Sequence, residues 1–308
     1  MKQYIALFFK GMGMGAANVV PGVSGGTIAL ITGIFEKLIQ SIKSFDLEAI
    51  KLLFTGKFKA LAKKIDLLFL VAVFAGVAIG ILSLAKLFGY LLEYYPVYIM
   101  SFFFGLILAS IFFVGKTISH WNFSIIAFFI IGTAIAIALS LLKPAQANSS
   151  NWYLFVCGIV ATCSMILPGL SGSFVLILMG NYQLIMIDAV NNLDIKILFP
   201  VIIGAVIGLI LFSNLLSWVF KKFRNHTISI LTGFILGSLG IIWPWKIEIA
   251  TLDSMGQILM KKGAPVIEGY QWFIPKSFST EVILAIVFAL IGVTIIWLTE
   301  SLANQKKS

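Results

Sequence analysis

The chain has 308 residues, of which 60% are hydrophobic and only 11% charged, with a mean hydropathy of +1.06 and a formal net charge of +10. This composition excludes a soluble globular domain and points to a polytopic membrane protein. The lysines sit in polar stretches between apolar runs, so the positive balance reads as a cytoplasmic face against anionic lipid and not as a nucleic-acid surface.

In chain order, an apolar run starts at Tyr4 and is broken at Pro21-Gly22-Val23-Ser24-Gly25-Gly26. No small-residue cleavage pattern follows a short apolar core, so the segment reads as part of the mature protein and not as a signal peptide. Segment 4–40 is too long for one crossing and short for two, which predicts a re-entrant hairpin of two helices meeting at the break. A lysine-rich polar stretch follows at 41–66. Runs 67–92, 97–115 and 122–142 are each long enough to span, since a crossing needs about 20 residues. The second break, Pro168-Gly169-Leu170-Ser171-Gly172-Ser173, interrupts segment 151–187, a second re-entrant hairpin. Runs 197–220, 227–245 and 281–299 are the remaining spans, with a polar stretch at 246–280. Cys157 and Cys163 lie in an apolar stretch and read as packing residues.

The two breaks belong to two similar halves. Each is followed at the same distance by glycine and an aromatic: Gly33 and Phe35, then Gly180 and Tyr182. Gly76 and Gly80 match Gly204 and Gly208, Gly105 matches Gly233, and Gly132 matches Gly292. The expected division is repeat one at 1–142 and repeat two at 143–308. A re-entrant hairpin plus three crossings is an odd number, so the second half is expected to be inverted. With both termini inside, the inner segments hold the six lysines of 41–66, Lys116, Lys221, Lys222, Arg224 and the tail lysines. The outer segments hold Lys143, Lys196, Lys246, Lys261, Lys262 and Lys276. The bias favours this orientation. Trp243, Trp245, Trp272 and Phe273 fit an outer aromatic belt.

The repeated motif has a chemistry of its own. Pro21 lacks an N–H and the glycines permit turns that other residues resist. Ser24 and Ser171 then stand near the start of the following half-helix, where unpaired N–H groups and a partial positive charge suit an anion, phosphate above all. Paired breaks in matching positions of two halves are the sequence pointer to a transporter's binding site. In an inverted repeat the two half-helices approach one anion from opposite sides. The plain alternative is a tight turn that serves packing alone. The halves are not chemically identical, because Met165 occupies the place of Asn18.

Three charges lie near this path. Glu36 reads either as a carboxylate that carries a coupling proton or as a helix-end charge. Lys86, inside a span, either attracts phosphate or snorkels. Lys10 reads as a guide for phosphate on the inner side. No metal-ligand spacing, nucleotide loop or Cys-x-x-Cys is present, and no cofactor is expected beyond a proton or another coupling ion.

Asn18-Val19-Val20-Pro21-Gly22-Val23-Ser24-Gly25-Gly26-Thr27, with Gly33-Ile34-Phe35-Glu36, resembles the signature of a prokaryotic membrane family, the polyprenyl-phosphate translocases (PopT), formerly a domain of unknown function. Leu167-Pro168-Gly169-Leu170-Ser171-Gly172-Ser173, with Gly180-Asn181-Tyr182, is similar to the family's second motif, and the resemblance covers essentially the whole chain. It implies an all-α transporter, not an enzyme, that returns the monophosphorylated C55 carrier lipid of cell-wall synthesis across the plasma membrane. The implied phosphate-binding set is Asn18, Gly22, Ser24, Gly25, Gly26, Thr27, Gly169, Ser171, Gly172 and Ser173. Expected partners are the polyprenyl phosphate and anionic membrane lipids, with no nucleic acid, and a homo-oligomer is left open. A small-anion transporter shares every physical feature. Gly22-Val23-Ser24-Gly25-Gly26 also matches G-x-S-x-G, but no strand context surrounds it. A rhomboid-like serine protease would need an intramembrane histidine, and His120 and His226 both fall in expected cytoplasmic surface segments.

Overall fold

The computed structural model describes residues 2–19, 23–250, 260–261, 264–265 and 267–305. Helix α1, Lys2–Val19, stops two residues before Pro21, which cannot continue it. The short α2, Gly25–Ile31, starts at Ser24 and ends where Gly33 adopts φ +71°. Helix α3, Phe35–Lys43, follows this turn. The second hairpin repeats this order with α9, Asn151–Ile166, α10, Gly172–Leu178, a turn at Gly180 with φ +72°, and a π-helix at Gln183–Ala189 bent 114° from α10. Each hairpin therefore has three helical pieces where two were expected. The added corner is the left-handed glycine, a conformation other residues adopt only at a cost.

The rest of the chain is largely the expected set of spans. These are α6, Leu67–Tyr94; α7, Pro96–Gly115; α8, Phe123–Ser140; α11, Ile195–Lys222; and α13, Thr280–Gln305. These five helices are long and apolar enough to cross a membrane. The molecule is an all-α polytopic membrane protein. Helix α12, Arg224–Ser238, has 15 residues and ends well short of the expected 245. Gly240 and Pro244 work against a longer helix, and the chain turns instead into a hairpin.

The polar stretches are more ordered than the sequence suggested. Segment 41–66 folds as α4, Leu47–Phe54, and α5, Phe58–Lys64; Asp46 caps α4 by accepting from the Ala49 N–H at 2.9 Å. Within 246–280, β1, Lys246–Ala250, pairs antiparallel with β4, Ile267–Trp272, and β2, Met260–Lys261, with β3, Ala264–Pro265. No strand was expected there. The expected aromatic belt forms a cluster that fastens this hairpin. Trp243 Nε1 donates to the Phe273 carbonyl at 3.0 Å, and Trp272 Nε1 to that of Gly240 at 2.7 Å.

The helices associate in four close pairs: α1 with α6, α9 with α11, α7 with α13 and α8 with α12. Backbones approach at glycines, as in membrane helices generally. A Cβ on Gly76 would collide with the Phe8 carbonyl oxygen, and one on Gly204 with that of Phe155. Gly105 meets Ala289 and Gly233 meets Phe129 in the same way. Among the described residues the buried polar side chains are serines, threonines and Asn181, with no full charge. Many of these hydroxyls return to a backbone carbonyl; Ser229 reaches across from α12 to Ile125 on α8 at 2.6 Å.

Candidate functional site

The first motif is built from the start of α2. Ser24 has φ −112° and ψ 134°, the extended backbone of an N-cap. Its Oγ accepts from the Gly26 N–H at 3.2 Å and its carbonyl from Thr27 N–H at 3.0 Å. The Gly25 N–H donates to Asn18 Oδ1 at 2.8 Å, so the end of α1 closes over the start of α2. All three leading N–H groups of this half-helix thus have internal partners in this conformation. Ser24 and Thr27 are almost wholly buried, at 2% and 0% exposure.

The second motif has the same backbone and different side-chain chemistry. Ser171 has φ −110° and ψ 135°, nearly the angles of Ser24. Its hydroxyl makes no cap bond; it lies 2.7 Å from the Ser173 hydroxyl. Met165 stands over Gly172 as Asn18 stands over Gly25, but a thioether is a weak acceptor. Ser171 is part-buried and Ser173 exposed.

The two breaks touch. The Gly169 N–H donates to Thr27 Oγ1 at 2.9 Å in a fully buried bond, and Ser24 Oγ donates to the Leu167 carbonyl at 3.4 Å. A Cβ on Gly26 would come within 2.8 Å of the Ile166 carbonyl oxygen. Ser24, Gly25, Gly26 and Thr27 are therefore brought against the segment that carries Gly169, Ser171, Gly172 and Ser173. Gly22 lies outside the described residues.

Of the three candidate charges, Lys10 and Glu36 are bound away from this junction. Lys10 Nζ donates to the Thr32 carbonyl at 2.6 Å, at the far end of α2 from Ser24. Lys86 lies on α6, and its side chain is outside the described residues. Glu36 binds Arg224, the one arginine of the chain, with Oε1 to Nη2 at 3.0 Å and to Nε at 3.1 Å. Beside this pair, Phe35 of α3 packs on Phe220 of α11, ring centroids 5.8 Å apart.

Sequence reasoning did not single out Asn181, Tyr153 or the Arg224 pairing. Asn181 is fully buried; it accepts from the Asn148 N–H and donates to the Asn148 carbonyl, both at 2.8 Å, tying the segment before α9 to the turn after α10. Tyr153 Oη donates to the Met179 carbonyl at 2.8 Å, as Lys10 does to Thr32 in the first half. The available signals were the Asn inside Gly180-Asn181-Tyr182 and the solitary arginine. His226 pairs with Ser124 at 3.0 Å, not with a motif serine. Among the described residues no group of His, Cys, Asp or Glu is arranged to hold a metal.

Residues 14–259 match the family model described as undecaprenyl phosphate translocase-like. The chain belongs to that family. It is 37% identical over 307 residues to a Vibrio cholerae protein named polyprenyl-phosphate transporter, covering 98% of both chains. It is 31% identical over 253 residues to a Staphylococcus aureus protein of the same name, covering 76% of this chain and 84% of that one. No solved structure matches it. Both motifs and the Arg224 pairing fall within the part of the chain that the family model covers.

Proposed function

We propose that this protein translocates polyprenyl monophosphate, the C55 carrier lipid of cell-wall synthesis, from the outer to the inner leaflet of the plasma membrane. The observation that carries the reading is the near full-length similarity to the Vibrio cholerae polyprenyl-phosphate transporter. The contact of the two motif turns through Thr27 and Gly169 supports this junction as the place. The phosphate passes this junction and is held by motif hydroxyls and N–H groups, while the prenyl chain stays in lipid. Neutral donors suit the task, because a full charge buried in hydrocarbon is costly.

In this reading the two halves are inverted copies that expose the junction alternately to each side. The asymmetry between them supports it. The first hairpin is sealed onto α11 by Phe35 against Phe220 and onto α12 by Glu36 with Arg224. The matching residues of the second hairpin are Tyr182 and Gln183, and Gln183 donates instead to Asp188 at 3.3 Å. Lysine placement puts the Arg224 end inside. The conformation is then closed toward the cytoplasm, with Ser171 and Ser173 on the accessible side. Glu36 acts as a gate residue in this scheme. The exposed Phe54 and Phe58, set among lysines on α4 and α5, rest on anionic lipid at the inner interface.

The test is leaflet exchange of undecaprenyl phosphate in proteoliposomes, beside flux of inorganic phosphate. Rapid lipid exchange that is lost in Ser24→Pro and in Ser171→Pro, both still inserted, is the expected result. Full activity in both variants would remove the motif from the mechanism. Inorganic phosphate flux without lipid exchange would make the protein a small-anion transporter.

A further inference from the structure

The bundle carries a groove that the motif junction does not use. Beyond their close approach at Gly105 and Gly292, about 390 Å³ lies between side chains of α7 and α13. Leu108, Phe112, Phe113, Val293, Thr294 and Trp297 line it. Leu108, Phe112 and Trp297 are exposed, so the groove opens sideways on an apolar outer face of two membrane-spanning helices.

Two observations distinguish it from an ordinary seam between helices. The first is a charge at its end. Lys116 closes α7, and its ammonium lies 4.3 Å from the Phe112 ring centroid and 5.7 Å from that of Phe113. A cation at the mouth of an apolar trough complements a lipid with one anionic head and an apolar chain. The second is that the corresponding pair, α8 with α12, is tight at this level. Where α7 has Ala109, α12 has Gly237, and a Cβ there would meet Ala136 Cβ at 2.5 Å and the Thr133 carbonyl at 2.6 Å. The groove is therefore a property of one helix pair and not of the repeated architecture.

We infer that the α7–α13 groove holds the head-proximal part of a polyprenyl phosphate chain, with its phosphate at Lys116. From Leu108 to Lys116 the groove and its cap run about 12 Å along α7, at 1.5 Å per residue. That length takes the first few isoprene units and leaves the rest in the bilayer. Unsaturated, methyl-branched units suit the Phe112, Phe113 and Trp297 rings, and the ammonium offers the phosphate a charge-assisted bond. Under the lysine-based orientation this is the inner-leaflet site, where cargo that has passed the motif junction arrives or leaves. The assignment rests on the cargo proposed above.

Binding of undecaprenyl phosphate to the full chain in nanodiscs tests it, with unphosphorylated undecaprenol and the two-chain lipid phosphatidylglycerol as comparison ligands. Lys116→Gln is expected to weaken undecaprenyl phosphate binding about tenfold, the worth of one charge-assisted contact, and to leave undecaprenol binding unchanged. Thr294→Trp, an exposed substitution that fills the trough, is expected to weaken both. Wild-type binding retained in both variants would overturn the groove while leaving the cargo intact. Equal competition by phosphatidylglycerol would reduce it to a general lipid seam. No undecaprenyl phosphate binding by the wild-type chain would overturn the cargo itself.

Discussion

At the scale of single residues, the junction depends on Thr27. Its hydroxyl accepts the buried Gly169 N–H, and no solvent is at hand to replace it. Thr27→Val keeps the shape and orphans that donor, which costs about 1–3 kcal/mol. Thermal unfolding in detergent should show the loss in Thr27→Val and its recovery in Thr27→Ser. The left-handed glycines at the two hairpin corners, Gly33 and Gly180, give a paired test. Alanine at either pays about 1–2 kcal/mol for its backbone. At Gly33 nothing lies within 4 Å of the new Cβ, whereas at Gly180 it would collide with the Ala145 carbonyl. Gly180→Ala should therefore lower the unfolding temperature more than Gly33→Ala; equal shifts would refute the difference in packing.

At the scale of elements, the contact between α3 and α12 is a matter of accessibility more than stability. Glu36 and Arg224 are 41% and 52% exposed, and such a pair contributes at most about 1 kcal/mol. Glu36→Gln should leave the unfolding temperature nearly unchanged. It should raise the reactivity of a cysteine at position 24 toward an impermeant thiol reagent from the cytoplasmic side. Unchanged reactivity would mean that the pair is not a gate. The α4–α5 segment has its own pH limits. The Ala49 N–H, and then Lys64, hold the Asp46 carboxyl below its ordinary 3.8. Hydrogen bonds from Lys64 to Glu48 and Asp46 raise the Lys64 ammonium above 10.5. A depressed carboxylate stabilises above its ordinary value and loses that contribution as pH falls through the lowered one. A raised ammonium stabilises below 10.5 and loses its contribution as pH climbs through the raised value. Amide protection factors over 46–64, exchange rates corrected for their intrinsic pH dependence, should be flat through neutral pH and fall at both extremes.

At the scale of the whole molecule, orientation is open to a direct test. A cysteine in 41–66 should be protected from an impermeant thiol reagent in intact cells, and one in 246–280 labelled; the reverse would invert the assignment of sides. Much of the fold was legible beforehand, because spans announce themselves by length and apolarity, and α6, α7, α8, α11 and α13 lie close to where the runs placed them. The motif serines were legible for a similar reason: Pro-Gly and Ser-Gly impose local backbone, and Ser24 and Ser171 share one geometry. What local signals do not carry is partnership. That Gly169 would bind Thr27 and that Glu36 would find Arg224 188 residues away are outcomes of packing between segments remote in sequence. Local backbone preference and hydropathy act within a few residues, so the sequence by itself determined the five long spans and the two breaks. Which side chains satisfy which buried donors is a long-range choice among alternatives of similar energy, and only the tertiary structure decided it.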